Sequence, residues 1–400
     1  MANSLTDVVK LHYAEATQEN LEKTLTAMDL AGMIDIPNGT TKNLPYVQMR
    51  ATSNYTKYTN QTIQDVTTGN DQIVINTTPM VTFAMDVIDE GDDYIDVKPE
   101  VIQDASYQIK KRIDGDFFAQ VSNAKWKYDA NGFGRNTGTL SPITLTTGAS
   151  QNISTVFGKA KAGLTNNGAN GSKLALCIDD FISADLTTLG METNVSGVAD
   201  VSYTRGFQGR FGGMDAYSVS MLSSSVVFDL ATQPTDGDTV TIQGVTFTFK
   251  TTLGSTAGNV LIGASADAAS INLVALLNAP GTTTAQGVAL SSDDQAILEA
   301  ISAVDGTNLL TISSKNGALM ASTSMTNASN DLQAQVVNAC IMEKGSIKMA
   351  IRNGVKVDSR DEPLKLVTNY FIYARYGLKV TTRSKERMVI IPLISQAAEV

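Results

Sequence analysis

The stretch Val97–Ala124 (VKPEVIQDASYQIKKRIDGDFFAQVSNA) constrains this chain more than any other. Pro99 suits a first helical turn, where its missing amide would have had no intrahelical partner. Asp96 and Glu100 place negative charge at the positive end of the helix dipole, and Lys110, Lys111 and Arg112 follow further along. Ile102, Ala105, Ile109, Ile113, Phe117 and Val121 recur at spacings of three and four, which makes one apolar stripe. At 1.5 Å per residue the helix would be roughly 40 Å long, with a slight bend at Gly115. A beam with one narrow sticky face needs other surfaces to cover it.

Composition narrows what those surfaces can do. The chain has 400 residues, enough for two or three domains. Its net charge of −10 argues against a general nucleic-acid binder. The two cysteines, Cys177 and Cys340, lie in apolar runs and are expected buried and reduced. No apolar run approaches the ~20 residues that cross a bilayer, and the N-terminus shows no secretion signal, so synthesis and action in a cytoplasm are expected. His12 is the single histidine, which argues against most metal sites and against Ser/His or Cys/His nucleophiles. An enzyme is not expected, nor a cofactor or metal.

Residues Asn3–Leu30 read as an amphipathic helical arm, capped by Ser4 or Thr6, with Leu21, Leu25 and Met28 on one side. From Asn43 to Val87 the pattern changes to alternating strands, with a turn expected at Thr67–Asp71 (TTGND). A long two-stranded hairpin of this kind is marginal alone and must lie on something else. The acidic run after it, IDEGDDYID, lacks the ligand order of a calcium loop. It reads either as a solvated turn or as a patch that pairs with basic residues on another subunit.

Next comes a Gly/Asn-rich connection with the only tryptophan, Trp126, and then an α/β layer. A helix is expected over Ala149–Leu164, a buried strand in SKLALCIDD, a helix in DFISADLTTLG and a strand in FGGMDAYSVSM. Asp179 and Asp180 sit at a strand-to-helix junction, where an N-cap and a catalytic carboxylate are both conceivable; the cap is the simpler reading. The glycines of GFQGRFGG (Gly206–Gly213) precede a strand and not a helix, so they read as a tight loop and not a phosphate cradle.

From Gln233 an acidic module begins. GDTVTIQGVTFTFKTT reads as a hairpin turning at Gln243-Gly244, with Val240, Ile242, Val245, Phe247 and Phe249 inward. Helices are expected over Ala266–Ala279 and Asp293–Val304, the second capped by Ser291 or Ser292, and a strand over Thr307–Ser313. Between Asp236 and Asp331 eight acids face two lysines, whereas between Glu343 and Met388 eleven cations face five acids. The chain thus carries an acidic insertion and a basic tail, the latter with strands in NYFIYARYGLKVTT and RMVIIPL.

This order of parts resembles the major capsid proteins of tailed bacteriophages, in the lambdoid-type fold. The local matches are NLPYVQM before the hairpin, IDGDFFAQV closing the helix, DDFISADL followed by GRFGGMDAYSVS, and IKMAIRNGVKVDS running on to YARYGLKVTTRSKERMVIIPL. The resemblance covers about three hundred residues; the acidic module is the exception. It implies an α+β chain: an N-terminal arm (1–37), an extended β-hairpin loop (38–88) and a peripheral domain with the spine helix (89–148 and 343–400). An axial α/β domain (149–233 and 334–342) and an inserted small α+β domain (234–333) complete it.

The function so implied is a coat protein that forms hexamers and pentamers of an icosahedral shell around double-stranded DNA. The virion is its place and host cytoplasm its place of assembly. A separate scaffolding protein, or none, follows from a chain that starts at the arm helix, and a portal is a further partner. The resemblance casts Tyr55, Lys57, Tyr58, Asp89, Glu90, Asp92, Asp93, Arg352, Lys356, Arg360, Arg383 and Arg387 as inter-subunit contacts. It casts Arg205, Phe207 and Arg210 as a capsomer-centre loop, and Lys57 with Asn353 as an uncommon crosslinking pair. The insertion reads as meeting a decoration protein or host glycan, or as thickening hexamer contacts. The basic tail would face DNA or, preferably, a neighbouring subunit. An encapsulin-like nanocompartment and, remotely, a carboxylate enzyme are the alternatives.

Overall fold

The amphipathic stretch forms the helix Lys98–Ala119, continued by a 3-10 turn over Gln120–Asn123. It belongs to a computed structural model that describes residues 26–37, 39–47, 54, 56–58, 60, 68–86, 98–145, 152–179, 182, 207–306, 308–315, 317, 319–362 and 367–394. Along the helix, Ala105, Ile109, Ile113 and Phe117 are buried, as is Val121 in the turn, and Ile102 is half-buried. The stripe read from spacing is therefore the covered face. Tyr107 and Phe118 are buried too, so coverage is wider than that stripe.

The chain divides into two compact units. The first comprises the described parts of Ala31–Ile113 and Ile347–Thr382. Its sheet is built on two long antiparallel strands, Ile347–Glu362 and Val367–Val380. Met80–Asp86 pairs on one side and Gly32–Met33 on the other. Alternation along Val367–Val380 buries Thr368, Tyr370, Ile372, Ala374 and Tyr376 on one face, where Tyr370 stacks on Phe83 at 5.0 Å. A separate two-stranded ribbon pairs Thr41–Val47 with Thr68–Val74.

The second unit holds the described parts of Thr24–Leu30, Asp114–Ser346 and Arg383–Val400. Val336–Glu343 lies in the middle of its sheet, between Ser224–Leu230 and Met388–Ile394, and also pairs with Leu174–Ile178. Helix Ile153–Asn166 lays Val156, Phe157, Ala160 and Leu164 against Leu174, Leu176, Ile341, Val389 and Ile391. Gly163 makes that packing close: a Cβ there would stand 2.3 Å from the Phe133 ring, which in turn stacks on Trp126 at 5.5 Å. Cys177 and Cys340 face each other in the ladder as buried free thiols, as their apolar flanks suggest. The Cys340 neighbour and burial together hold the Cys177 thiol well above its usual range.

The acidic module is inserted between Ser224–Leu230 and Val336–Glu343, adjacent strands that meet at Ser224 and Val337, and its strands Leu309–Ser314, Ile301–Asp305 and Asn330–Leu332 extend this same sheet. Its hairpin turns where expected: Gln243 and Gly244 both have positive φ (52° and 84°), the geometry that matches strand twist. Val240, Ile242, Val245, Phe247 and Phe249 are all buried. The same apolar cluster takes in Val226, Phe228 and Leu230, so the module's packing reaches back past residue 234.

Three local expectations change. The turn at Thr67–Asp71 does not form, because Thr68–Val74 is a strand and its Thr68–Asp71 half pairs with Leu44–Val47. Gly69 is a register partner there, since the Tyr46 ring lies where its Cβ would be. The helix over Asp293–Val304 stops at Ile297, and Ile301–Asp305 is a strand. The alternating ISAV run gains a ladder with Leu309–Ser314 that a continued helix would forgo. Finally, GFQGRFGG is mostly strand (Phe207–Phe211), with the turn confined to Gly212-Gly213 at φ 55° and 77°. Of the helix expected over Asn3–Leu30, the described residues show a four-residue helix, Ala27–Leu30, that starts after the non-helical Thr26. The rest of that arm, the acidic run and the helix expected in DFISADLTTLG (Ile182 aside) lie outside the described residues.

Candidate functional site

The ribbon Thr41–Val47/Thr68–Val74 has almost no core of its own. Ile73 is its one fully buried side chain, set with Ile36, Ile75 and Ala350 and flanked by Ile34 and Leu44. The root is tied by polar contacts: Thr382 donates its backbone N–H and hydroxyl to Asp71 (2.8 and 3.0 Å), and Arg352 Nη1 donates to the Gly39 carbonyl (2.9 Å). Gly377 lets the sheet approach, because a Cβ there would stand 2.0 Å from the Val74 carbonyl oxygen. Away from this root one face of the ribbon, with Asn43, Pro45, Thr68, Asn70 and Val47 (54%), is exposed throughout, whereas Leu44, Tyr46, Gly69 and Asp71 on the other are half-buried. Beyond it, Lys57 and Tyr58 are exposed, Tyr58 at 91% and φ 65°, with the Lys57 ammonium 5.0 Å from its ring centroid. Tyr55 lies outside the described residues.

The basic tail is less free than its composition suggests. Arg387 Nη1 lies 3.2 Å from Glu343 Oε1, and Lys125 Nζ 2.7 Å from Glu386 Oε1. Arg383 is half-buried. Lys356 and Arg360 are exposed on the distal half of Ile347–Glu362, with the Arg360 guanidinium 6.0 Å from the Phe371 centroid. Asp89, Glu90, Asp92 and Asp93 lie outside the described residues, and so does Arg205; Phe207 is placed in its strand by backbone alone, as is Asn353. Arg210 is exposed at the Gly212-Gly213 hairpin and donates from Nε to Asp215 (3.1 Å). Burial raises the Asp215 carboxyl, but hydrogen bonds from Lys344 (2.6 Å) and Arg210 outweigh it and hold the group below its usual range.

Asp179 is buried and Asp180 lies outside the described residues. Among the described residues no cluster of three His, Cys, Asp or Glu side chains could hold a metal ion. Several acids of the module serve structure instead. Asp238 accepts from the Thr235 and Thr326 amides and the Thr326 hydroxyl, and Ser291 caps the Ser292–Ile297 helix by accepting from the Asp294 amide.

One structural residue escaped the sequence reading. Asp114, inside the long helix, is buried, and its Oδ1 accepts the Thr26 and Ala27 amides (3.0 and 2.6 Å), capping the short helix Ala27–Leu30. Burial pushes its carboxyl up to about 6, against the two amide hydrogen bonds, which lower it. An acid directly beside the apolar position Ile113 was the signal available for it.

No family model matches the sequence, and no curated protein matches it. Solved structures do. The capsid structure of the cyanophage P-SCSP1u is similar over 99% of this chain and 96% of that one, with a TM-score of 0.52 at 11% identity. The mature capsid of bacteriophage PhiM1 aligns with 95% of this chain and 90% of its own, at 9% identity and a TM-score of 0.49. From the long helix, the ribbon and the two sheets, together with the first of these likenesses, the chain has the phage capsid fold.

Proposed function

We propose that this chain is the major capsid protein of a tailed phage, assembling as hexamers and pentamers into an icosahedral shell around double-stranded DNA. The observation that carries the reading is the ribbon: fourteen paired residues with one fully buried side chain cannot be justified by the fold of a single molecule. Its open face suits a neighbouring subunit, with Tyr55, Lys57 and Tyr58 beyond it in the chain. The arm (1–37) would tie neighbours together, and the peripheral parts (89–148, 343–400) would carry the charged contacts. The axial part (149–233, 334–342) would present Arg205, Phe207 and Arg210 at the capsomer centre. The insertion (234–333) would project outward, where its acidity keeps a crowded surface soluble and open to a decoration protein or glycan.

The DNA inside would touch the wall weakly, since Arg387 already has an acidic partner in its own chain. A scaffolding protein and a portal are the expected assembly partners in host cytoplasm. Purified protein imaged in negative stain and run on a sizing column tests the reading. Shells, capsomers or sheets are expected; a monomer at high concentration with an ordered ribbon would sink it.

A further inference from the structure

The long strand Ile347–Glu362 starts covered and ends bare. Ile347, Met349 and Ala350 are buried, whereas every residue from Lys356 to Glu362 is exposed. Pairing explains the change. The inner edge is matched to Val367–Val380 as far as Glu362↔Val367, but Gly32 and Met33 cover the outer edge only at Lys348 and Met349. Among the described residues no strand pairs that outer edge further along. An uncovered edge offers alternate backbone N–H and C=O groups to any strand that can reach it.

Charge decides which strand can. Lys356, Asp358, Arg360 and Glu362 fall on one face by the period of two, and their signs alternate. Tyr373 Oη donates to Asp358 Oδ2 (2.9 Å) and Asn369 Nδ2 to Glu362 Oε1 (3.1 Å), while Arg360 lies over Phe371. These contacts hold the row in order on the sheet face.

We propose that this edge pairs antiparallel with the same edge of a second copy, about a two-fold axis through Ser359. Such a contact is isologous, so each pairing occurs twice. With the axis at Ser359, Lys356 meets the partner's Glu362 and Asp358 meets the partner's Arg360, giving opposite charges at every charged position of that face. Moving the axis to Asp358 or Arg360 sets like charges against each other, which opposes pairing. Moving it to Val357 runs the ladder into the bulge between Ile351 and Lys356, and moving it to Asp361 leaves Lys356 and Asp358 beyond the matched row. Charge order, the bulge and the length of the matched row together select one register. The contact would recur wherever two subunits of a shell are related by a two-fold, yet it holds or fails as a dimer whether or not a shell closes.

A cysteine at the axis tests the register in the full chain. Directly opposed residues of an antiparallel pair have Cα atoms about 4.5–5.5 Å apart, within the span of a disulfide. The native Cys177 and Cys340 are buried and give little background. Ser359→Cys under oxidised glutathione is expected to yield a covalent dimer on a non-reducing gel. Val357→Cys should not, because the two copies of that position would lie about 13 Å apart along the strand. Equal crosslinking by both variants, or none by Ser359→Cys, overturns the proposal.

A charge exchange gives the second arm. Lys356→Glu/Arg360→Glu and Asp358→Lys/Glu362→Lys should each reduce self-association of the otherwise unchanged chain at least tenfold. Their equimolar mixture should restore it to within about twofold of the original, which also shows that both variants fold. Association unchanged in the separate variants, or not restored on mixing, overturns the pairing. Shells formed by either separate variant would reject the pairing and leave the capsid reading intact. Ser359→Cys dimers without shells would support the pairing and count against that reading.

Discussion

Two antiparallel hairpins in this chain treat apolar surface in opposite ways. In the module, Thr239–Ile242 and Val245–Lys250 turn through Gln243-Gly244 and bury every inward side chain, from Val240 to Phe249. In the ribbon, Thr41–Val47 and Thr68–Val74 pair over seven positions and bury Ile73 alone. Backbone pairing is satisfied in both, so hydrogen bonding does not distinguish them. What differs is whether the single molecule supplies the surface that removes water from the side chains, since that removal drives folding. The module hairpin is completed within the chain; under the proposed shell, the ribbon is completed by a neighbour.

The sharpest way to break this contrast is to damage each hairpin and measure the isolated chain. Phe247→Ala empties a fully buried site and should cost about 3–5 kcal/mol in a denaturant titration, with loss of the module's cooperative transition. A cost below about 1 kcal/mol would mean that the module is not packed as described. Ile73→Ala strikes the one fully buried side chain of the ribbon, where burial is equally complete. Here about 2–4 kcal/mol is expected, but confined to the unit that holds the ribbon. Hydrogen exchange should show fast amides across Thr68–Val74 and unchanged protection in the module.

Period and turn chemistry made much of this legible beforehand. The spine stripe, the Gln243-Gly244 turn and the inward set of the module hairpin follow from spacings local to the chain. Elements that depend on a distant partner were not legible. TTGND has turn composition, yet it becomes strand because Leu44–Val47 lies opposite and Tyr46 shields Gly69. Ile301–Asp305 reads as the tail of a helix until Leu309–Ser314 offers it a ladder. The partners of the tail cations were equally hidden: a charge count makes the tail basic, but only the fold sets Arg387 beside Glu343. The alternating row Lys356–Glu362 was visible in the sequence, and its meaning was not, because an edge exists only once a sheet is built.

A pH titration sharpens the comparison without touching either hairpin. Asp114 carries a carboxyl raised by burial from 3.8 to about 6 in the folded chain. The folded state therefore holds a proton that the unfolded state has released between those two values. Stability from this group is full below about pH 4, falls as pH rises through about 6, and is level above that. A shift of this size corresponds to roughly 2–3 kcal/mol at 1.36 kcal/mol per pH unit. Asp114→Asn keeps an oxygen for the Thr26 and Ala27 amides and should flatten the profile between pH 4 and 6. An unflattened profile would place the titration elsewhere. If assembly were to follow the same curve as unfolding, folding and assembly would share a control that the two hairpins alone do not reveal.

The smallest expected effect on folding is the most informative about assembly. Val47 is 54% exposed at the distal end of its strand, so Val47→Ser removes little from the core of the single molecule. Its unfolding free energy should change by no more than about 0.5 kcal/mol, as for other exposed sites. Under the shell reading the same position is covered by a neighbour, and a hydroxyl there adds a polar group to a dry contact. The concentration needed for particles in negative stain should then rise several-fold, while the denaturation curve stays in place. If both measurements stay fixed, this part of the ribbon faces solvent in the assembled state too, and the burden of contact falls on its other face or on the residues beyond it. If both move together, Val47 matters to the fold itself, and the contrast between a hairpin for folding and a hairpin for assembly is lost.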